Sequence, residues 1–510
     1  MEKNLSIERV INKYPYLKTR KIGFPEVGRK KNGKTFSKAV KNIADGFELY
    51  DSLMSTLNND YSKEINLTSG NPMKYRPFKP AIKEIKQILC GTELNKYPYS
   101  EGDNKVRETL LKYIENEGFI NNSPYDYDDI DDKGLSINNL TFTVSTSHAF
   151  ELVLDVIVND DDVILMTGPN YGLFSFKPER LNARVEIIDL DEEDNYLVNP
   201  HKLRNKIIDI NKELKEEYGN REVVPKVVAF VNSNPCNPTG KVMGQNEYEL
   251  LRSIGEICKD LGVFVIDDLV YRDLTYDRNN MAKPMATIPG MFRNTISLFG
   301  LSKAYGLAGL RAGFVVADEV IIREVINKIF QKLDAVPSVN GVALRGAYNV
   351  SKKRNREYKK YFDKLIGEYK FRFNLVNALI NGIDHIEDNK ERKKICKYIK
   401  KDKKALALSK TGVRGIKIPK KLYPESGFFV IIDFTELKGM KYNGKPIMTE
   451  EELLRFFYNE IKMRFLIGKS LLWPEDGKLI GRITFAKERK DIIHFCLKIK
   501  EAVDVLEKWE

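Results

Sequence analysis

The chain reads as an α/β protein with a large, mostly parallel sheet and crossover helices, joined to a smaller α+β unit built from both chain ends. Three observations predict this. From about residue 140, short apolar runs alternate with amphipathic stretches of helical length, the pattern of parallel strands joined by helices. At 510 residues the chain is long enough for two or three domains with a large core. After Gly427 the alternation of strand and helix resumes and ends on a charged amphipathic stretch.

The elements follow in order. Residues 226–232 form a nearly continuous apolar run, which predicts a buried strand. Residues 245–261 read as a helix with Leu250, Leu251, Ile254, Ile257, Cys258 and Leu261 on one face, ended by Gly262. Residues 263–268 and 295–299 read as the next two strands, and long helical patterns run from about 340 to 383. The expected division is an N-terminal extension at 1–60, a large domain at 61–335 and a C-terminal small domain at 336–510. Loop insertions are expected near 120–138, 205–225 and 385–425. The extension carries no motif and is assigned no chemistry.

Composition narrows the function classes. Hydrophobic residues make up 42% and charged residues 31%, ordinary for a globular protein. There is no apolar run of spanning length and no secretory pattern at the start, so neither membrane nor secretion is expected. The net charge of +12 raises the question of nucleic acid. Yet the lysines are spread along the chain, and the densest stretch, 389–404, lacks the interleaved aromatics of a base-stacking surface. It reads as a solvated basic insertion, and no nucleic-acid partner is expected. The five cysteines are scattered and lack metal spacing, as do the four histidines; no metal and a reducing, cytoplasmic setting are expected.

The chemistry centres on residues 297–314, Ser-Leu-Phe-Gly-Leu-Ser-Lys-Ala-Tyr-Gly-Leu-Ala-Gly-Leu-Arg-Ala-Gly-Phe. An apolar strand ends in the small residues Gly300 and Ser302, which let a ligand approach the backbone, and Lys303 follows at once. A lysine ringed by apolar groups loses its proton readily and attacks carbonyls. Arg311, eight residues on, is a fixed cation suited to a phosphate. Together they describe a pocket for a phosphorylated aldehyde held as a Schiff base. Ser145, Thr146 and Ser147 precede an apolar helical stretch, where free amides and the helix dipole favour an anion, although an ordinary helix cap would look the same. Asp268 ends an apolar strand, at the strand edge where α/β folds bind ligands, with Tyr271 three residues later; Asp267 competes for the same role. Residues 234–240, Asn-Pro-Cys-Asn-Pro-Thr-Gly, form a rigid extended turn.

These segments, in this order, resemble the class I/II aminotransferases, the fold-type I family of enzymes that use pyridoxal 5′-phosphate. The resemblance implies a role for each. Lys303 carries the cofactor aldehyde and acts as base and acid, with Gly300 and Ser302 beside it. Ser145, Thr146, Ser147 and Arg311 hold the phosphate, although the family often carries glycine where this chain has Thr146 and His148. Asp268 faces the ring nitrogen, while Tyr271 and Asn237 reach the phenolic oxygen. Tyr171 stacks on the ring. Tyr97 reaches the phosphate of a neighbouring subunit, with Tyr99 as runner-up, which implies a homodimer. Arg482 grips the substrate α-carboxylate and Gly70 offers a backbone N–H in the loop that closes over the substrate.

The implied function is transfer of an amino group from an amino acid to a 2-oxo acid. The same cofactor contacts serve carbon–sulfur lyases, cyclopropane-forming synthases and decarboxylases, and a non-catalytic cofactor-binding regulator is a further alternative. No second arginine is placed for a distal carboxylate; Lys74 and Arg76 are the candidates nearest the glycine loop.

Overall fold

The computed structural model describes residues 36–56, 64–72, 75–121 and 134–506. Seven strands form the central sheet: β1 (Leu140–Thr143), β2 (Val163–Gly168), β3 (Arg184–Asp189), β4 (Val227–Ser233), β5 (Phe264–Asp268), β6 (Thr295–Gly300) and β7 (Gly313–Val316). Their order is β1-β7-β6-β5-β4-β2-β3. Only β7 runs antiparallel to its neighbours, pairing β1 on one side and β6 on the other. The remaining pairs are parallel. The inner strands are apolar on both faces because helices cover both, the expected signature of a parallel sheet.

A second sheet, of three antiparallel strands, places β10 (Ile480–Thr484) between β9 (Leu466–Ile467) and β8 (Phe429–Asp433). The two ends of the chain meet beside it, where Ile65–Asn66 pairs in parallel with Met463–Arg464. This is the predicted fold class, with the small unit drawing on both ends.

Helices divide by what they position. The helix α1 (Lys38–Ser55) buries Val40, Ile43, Leu49, Tyr50 and Leu53 and packs beside residues 468–471. It lies in the extension, which carries no recognised motif. α2 (Thr146–Ile157) begins directly after β1 and is capped by the Ser145 hydroxyl, which accepts from His148 N. α3 (Pro200–Tyr218) replaces most of the loop insertion expected near 205–225. Asn199 caps it, and Leu203, Ile207, Ile210 and Leu214 recur every three or four residues on a buried face. The many charges that suggested a loop occupy the outer face.

The expected helix at 245–261 is α4 (Tyr248–Asp260). The long pattern from 340 to 383 is two helices, α5 (Ser338–Tyr348) and α6 (Lys352–Ile380), broken where Ser351 caps the second by accepting from Arg354 N. The lysine-rich insertion is also helical. α7 (Asn389–Ile399) and α8 (Lys403–Thr411) bury Ile395, Ile399, Ala405 and Leu408, and both pack against α6, while their lysines face outward. Lys74 and residues 122–133 of the insertion expected near 120–138 lie outside the described residues. Among the described residues, no helix is long and apolar enough to cross a membrane.

Candidate active site

A cavity of about 540 Å³ opens where the carboxyl ends of β4, β5 and β6 meet the three-stranded sheet and α1. This is where open α/β sheets bind ligands. Every predicted site residue lines it except Gly300 and Tyr97. Gly300 sits just behind the wall. A Cβ there would meet the Thr146 hydroxyl at 2.6 Å, so its role is to let the start of α2 close against β6. Gly313 does the same from β7, where a Cβ would lie 2.9 Å from Thr146 N. Tyr97 is 93% exposed and Tyr99 76% exposed, and neither lines the cavity of its own chain.

Lys303 follows β6 and lies within the cavity wall, its Nζ donating to the Gly70 carbonyl at 2.7 Å. This contact uses the carbonyl of Gly70 and leaves its N–H, expected to face the substrate, uninvolved. Burial, with the nearby Arg482 charge, brings the amine down to about 8, against an opposing pull from Asp268. The neutral, nucleophilic form is therefore far more populated near neutral pH than in an ordinary lysine.

The register of β5 separates the two adjacent carboxylates. Asp267 points into the core, accepting from Asn232 Nδ2 at 2.9 Å and Met285 N at 2.8 Å. Asp268 lines the cavity and accepts from Val270 N at 3.1 Å. Burial pushes it up to about 6, with the Lys303 charge opposing the rise. A buried carboxylate short of donors accommodates a cationic partner.

At the anion end, the amides of Thr146 and Ser147 have no acceptor among the described residues, as expected for the first turn of a helix. Ser145 holds φ at 149°, a value that side-chain-bearing residues rarely adopt, to make this turn. Arg311, in the left-handed conformation at φ 58°, lines the same cavity with its guanidinium bonded to Ala308 O. His148 turns away from this end: its Nδ1 accepts from Val144 N at 3.2 Å, a local capping contact.

On the opposite wall Arg482 projects from β10. Its Nη1 donates to Asn237 Oδ1 at 3.0 Å and its Nη2 to Thr68 O at 2.7 Å, while the guanidinium lies 3.8 Å over the Phe429 ring. Among the described residues its buried Nε has no hydrogen-bond partner, and the Asn237 Nδ2 group has no acceptor. Tyr171 is fixed through its backbone N, which donates to the Asn170 side chain, and Tyr271 stands edge-on to Phe428 and Phe429.

The site therefore offers a reactive amine, an electron-rich carboxylate, a cluster of anion donors and a buried guanidinium around one space. The aminotransferase class I and II family matches residues 62–411. The chain belongs to that family.

Among curated members, the chain is 24% identical over 289 residues to the aspartate aminotransferase of Pyrococcus abyssi, which covers 56% of this chain and 65% of that protein. It is 24% identical over 260 residues to the glutamate-pyruvate aminotransferase of Haemophilus influenzae, covering 51% of this chain and 56% of that one. The matched stretch thus spans less than two thirds of either relative. Among solved structures, the aspartate aminotransferase from Rhizobium meliloti superposes with a TM-score of 0.71 at 15% identity, covering 93% of this chain and all of that one. That likeness establishes the shared fold.

The cavity of this family member also contains residues that sequence reading passed over. Phe47, Tyr50 and Asp51 come from α1, and Arg464 and Leu466 from the segment before β10. No element or chemistry is expected from sequence for the first 60 residues, and nothing local marks the buried face of α1 as part of a ligand site. Arg76 is exposed and does not line the cavity. A second cavity of about 630 Å³, between α1 and the Trp473 loop, carries no comparable set of reactive groups.

Proposed function

We propose that the protein is a pyridoxal 5′-phosphate-dependent aminotransferase that moves an amino group from an amino acid to a 2-oxo acid at this cavity. The observation that carries the reading is the pairing of a buried amine at about 8 with a buried carboxylate, Asp268, in one cavity whose far end holds unpartnered helix-start amides. The residues fit the cofactor group by group: Lys303 for the aldehyde, Asp268 for the ring nitrogen, Asn237 Nδ2 and the Tyr271 hydroxyl for the phenolic oxygen, Tyr171 for the ring face, and Thr146, Ser147 and Arg311 for the phosphate. When bound, the cofactor supplies an electron-withdrawing ring that stabilises negative charge at the substrate α-carbon.

The chain's own residues do the rest. Arg482 binds the α-carboxylate and fixes its plane, which selects the bond at the α-carbon that reacts. Lys303 Nζ is placed to take the proton from that carbon as general base and to return it as general acid. Asp268, as an anion, would hold a protonated ring nitrogen. The 93% exposure of Tyr97 supports a homodimer in which this residue completes the phosphate site of the second subunit. Residues 61–335 would form the cofactor domain and 336–510 the small domain, with α1 of the extension joining the substrate side. The free thiols of all five cysteines support a reducing, cytoplasmic setting.

Two measurements test this. Borohydride reduction of protein supplied with the vitamin should fix label on the peptide containing Lys303. A donor panel in single turnover should show the cofactor colour change with release of a 2-oxo acid, reversed by a second 2-oxo acid. Release of ammonia and pyruvate without an acceptor would replace transamination with lyase chemistry at the same site.

A further inference from the structure

We infer that the cavity selects amino acids with uncharged apolar or aromatic side chains, and that Glu64 enforces this choice by holding Arg464 away from ligands. The inference rests on the aminotransferase reading and concerns what that site accepts.

Among the described residues, the cavity is lined by four cations and two carboxylates. Lys303, Arg311, Arg482 and Asp268 have the roles just given. The two that remain are Arg464 and Asp51. Arg464 is a second arginine near the first: Leu466, two residues on, lies opposite Arg482 in the β9–β10 pairing. A free guanidinium there would suit a distal carboxylate. It is not free. Its Nε and Nη2 donate to the two Glu64 oxygens at 2.8 and 3.2 Å, and the two side chains are 9% and 4% exposed. The parallel pairing of Ile65–Asn66 with Met463–Arg464 fixes both partners in register.

A dicarboxylic substrate would have to draw Arg464 off Glu64 and leave a buried carboxylate unpaired, an expensive exchange. It would also face Asp51, an exposed carboxylate in the same wall. An apolar side chain meets neither obstacle. It finds Phe47, Leu173, Phe174 and Leu466 instead, with Tyr50 beside them. The Tyr50 hydroxyl is already committed, accepting from Ile467 N at 3.0 Å and bonded to Ser470 at 3.2 Å, so it presents its ring rather than a polar group. The discrimination is built from a repulsive element and a withheld attractive one.

The test uses the full chain loaded with pyridoxal 5′-phosphate and two unreactive carboxylates, 3-phenylpropionate and succinate, titrated calorimetrically. The expected result is binding of 3-phenylpropionate about tenfold or more tighter than succinate, with the same order in kcat/KM for phenylalanine against aspartate. Glu64→Gln should strengthen succinate about tenfold and leave 3-phenylpropionate within about threefold, because the released Arg464 can then turn to the ligand. Tighter succinate binding by the parent protein, or no change in Glu64→Gln, overturns the inference. Circular dichroism checks folding. If Glu64→Gln does not fold, Arg464→Met replaces it: retained preference for 3-phenylpropionate supports the inference, and its loss overturns it. Failure of the aminotransferase reading is distinguishable, because protein that takes up no cofactor and yields no labelled Lys303 peptide removes both, whereas a loaded enzyme preferring dicarboxylates removes only this one.

Discussion

Two clusters of buried polar side chains grow from the end of the same strand, β5, and they are finished differently. Behind the strand, Asp267 accepts two donors, from Asn232 and Met285. In the turn that follows the strand, Asp273 accepts from Tyr305 at 2.8 Å and Tyr358 at 2.5 Å. Arg272 donates to Ala282 O, to Tyr113 and to Glu117, using all three of its nitrogens. In front of the strand, Asp268 has one backbone donor, the amides of Thr146 and Ser147 have no acceptor among the described residues, and Arg482 Nε has no partner. Both clusters are buried, and both contain opposite charges. Burial and charge therefore do not separate these two clusters. Unfilled hydrogen-bonding capacity does, although among the described residues buried unpartnered atoms also occur away from the cavity, as at Arg184 Nε and Trp473 Nε1.

The largest expected effect tests the front cluster alone. Lys303→Ala should lower kcat by about 10⁴-fold or more and abolish borohydride-fixed label, since covalent attachment and proton transfer are lost together. Its melting temperature should stay equal or rise, because a buried amine held below its ordinary value destabilises the fold. Substantial turnover in this variant would break the assignment of the front cluster to catalysis.

A paired substitution compares the clusters directly across one residue step. Asp268→Asn should lower kcat by about 10³-fold with little change in thermal unfolding, since only the charge opposite the ring nitrogen is removed. Asp267→Asn should do the reverse. It would leave activity per folded molecule within about fivefold and cost about 2 kcal/mol, because the new amide NH2 would face one of the two donors, from Asn232 or Met285. Kinetics and calorimetry on the two proteins decide it; equal kinetic losses would erase the distinction. Arg482→Lys comes next, at about 10²-fold in kcat/KM carried mostly by KM, as a point charge replaces a two-pronged grip.

The pH dependence of cofactor loading sharpens the picture of Lys303 itself. The amine is lowered to about 8 from its usual 10.5, so the neutral nucleophile grows with rising pH. The loading rate of unliganded protein should rise about tenfold per pH unit below 8 and level off above it. The stability contribution has the same sign: the unfolded lysine binds more protons between 8 and 10.5, so stability linked to this group rises with pH across that window. Stopped-flow absorbance from pH 6 to 10 reads the first; a loading rate flat in pH would show that burial does not set the amine.

How much of this was legible depended on how local the information was. Lys303, Asn237 and Asp268 each sit where a strand turns into a loop, and the chain itself writes out their surroundings within a few residues. The sheet was legible for the same reason, since strands buried on both faces are continuous apolar runs. The choice between Asp267 and Asp268 needed the register of β5, because neighbours on a strand point to opposite faces. The Glu64–Arg464 pair joins residues 400 positions apart and no spacing announces it. In α3 and α7 the charges outnumber the apolar residues, which makes them look like insertions, yet four well-spaced apolar positions suffice to dock a helix, as Leu203, Ile207, Ile210 and Leu214 do in α3. Tyr50 and Asp51 lie on α1, in the extension for which no element was expected, and where that helix packs is tertiary information.

The smallest effect is the most demanding of the comparison. Tyr358→Phe removes the hydroxyl that donates to Asp273 and accepts from Arg278 at 2.7 Å, leaving the ring in place against Phe362. Asp273 keeps Tyr305, and Arg278 keeps the Asp273 carbonyl. The expected cost is about 1 kcal/mol, since the remaining groups stay partnered, with kcat and the cofactor spectrum unchanged within about twofold. The cluster is nevertheless joined to the site by a short stretch of chain, because Tyr305 lies two residues beyond Lys303. If the spectrum shifts when Tyr358 changes, the rear cluster positions Lys303 through Tyr305, and the two halves of the comparison are one device. If only the unfolding temperature moves, the saturated cluster is scaffolding and the unsaturated one carries the chemistry.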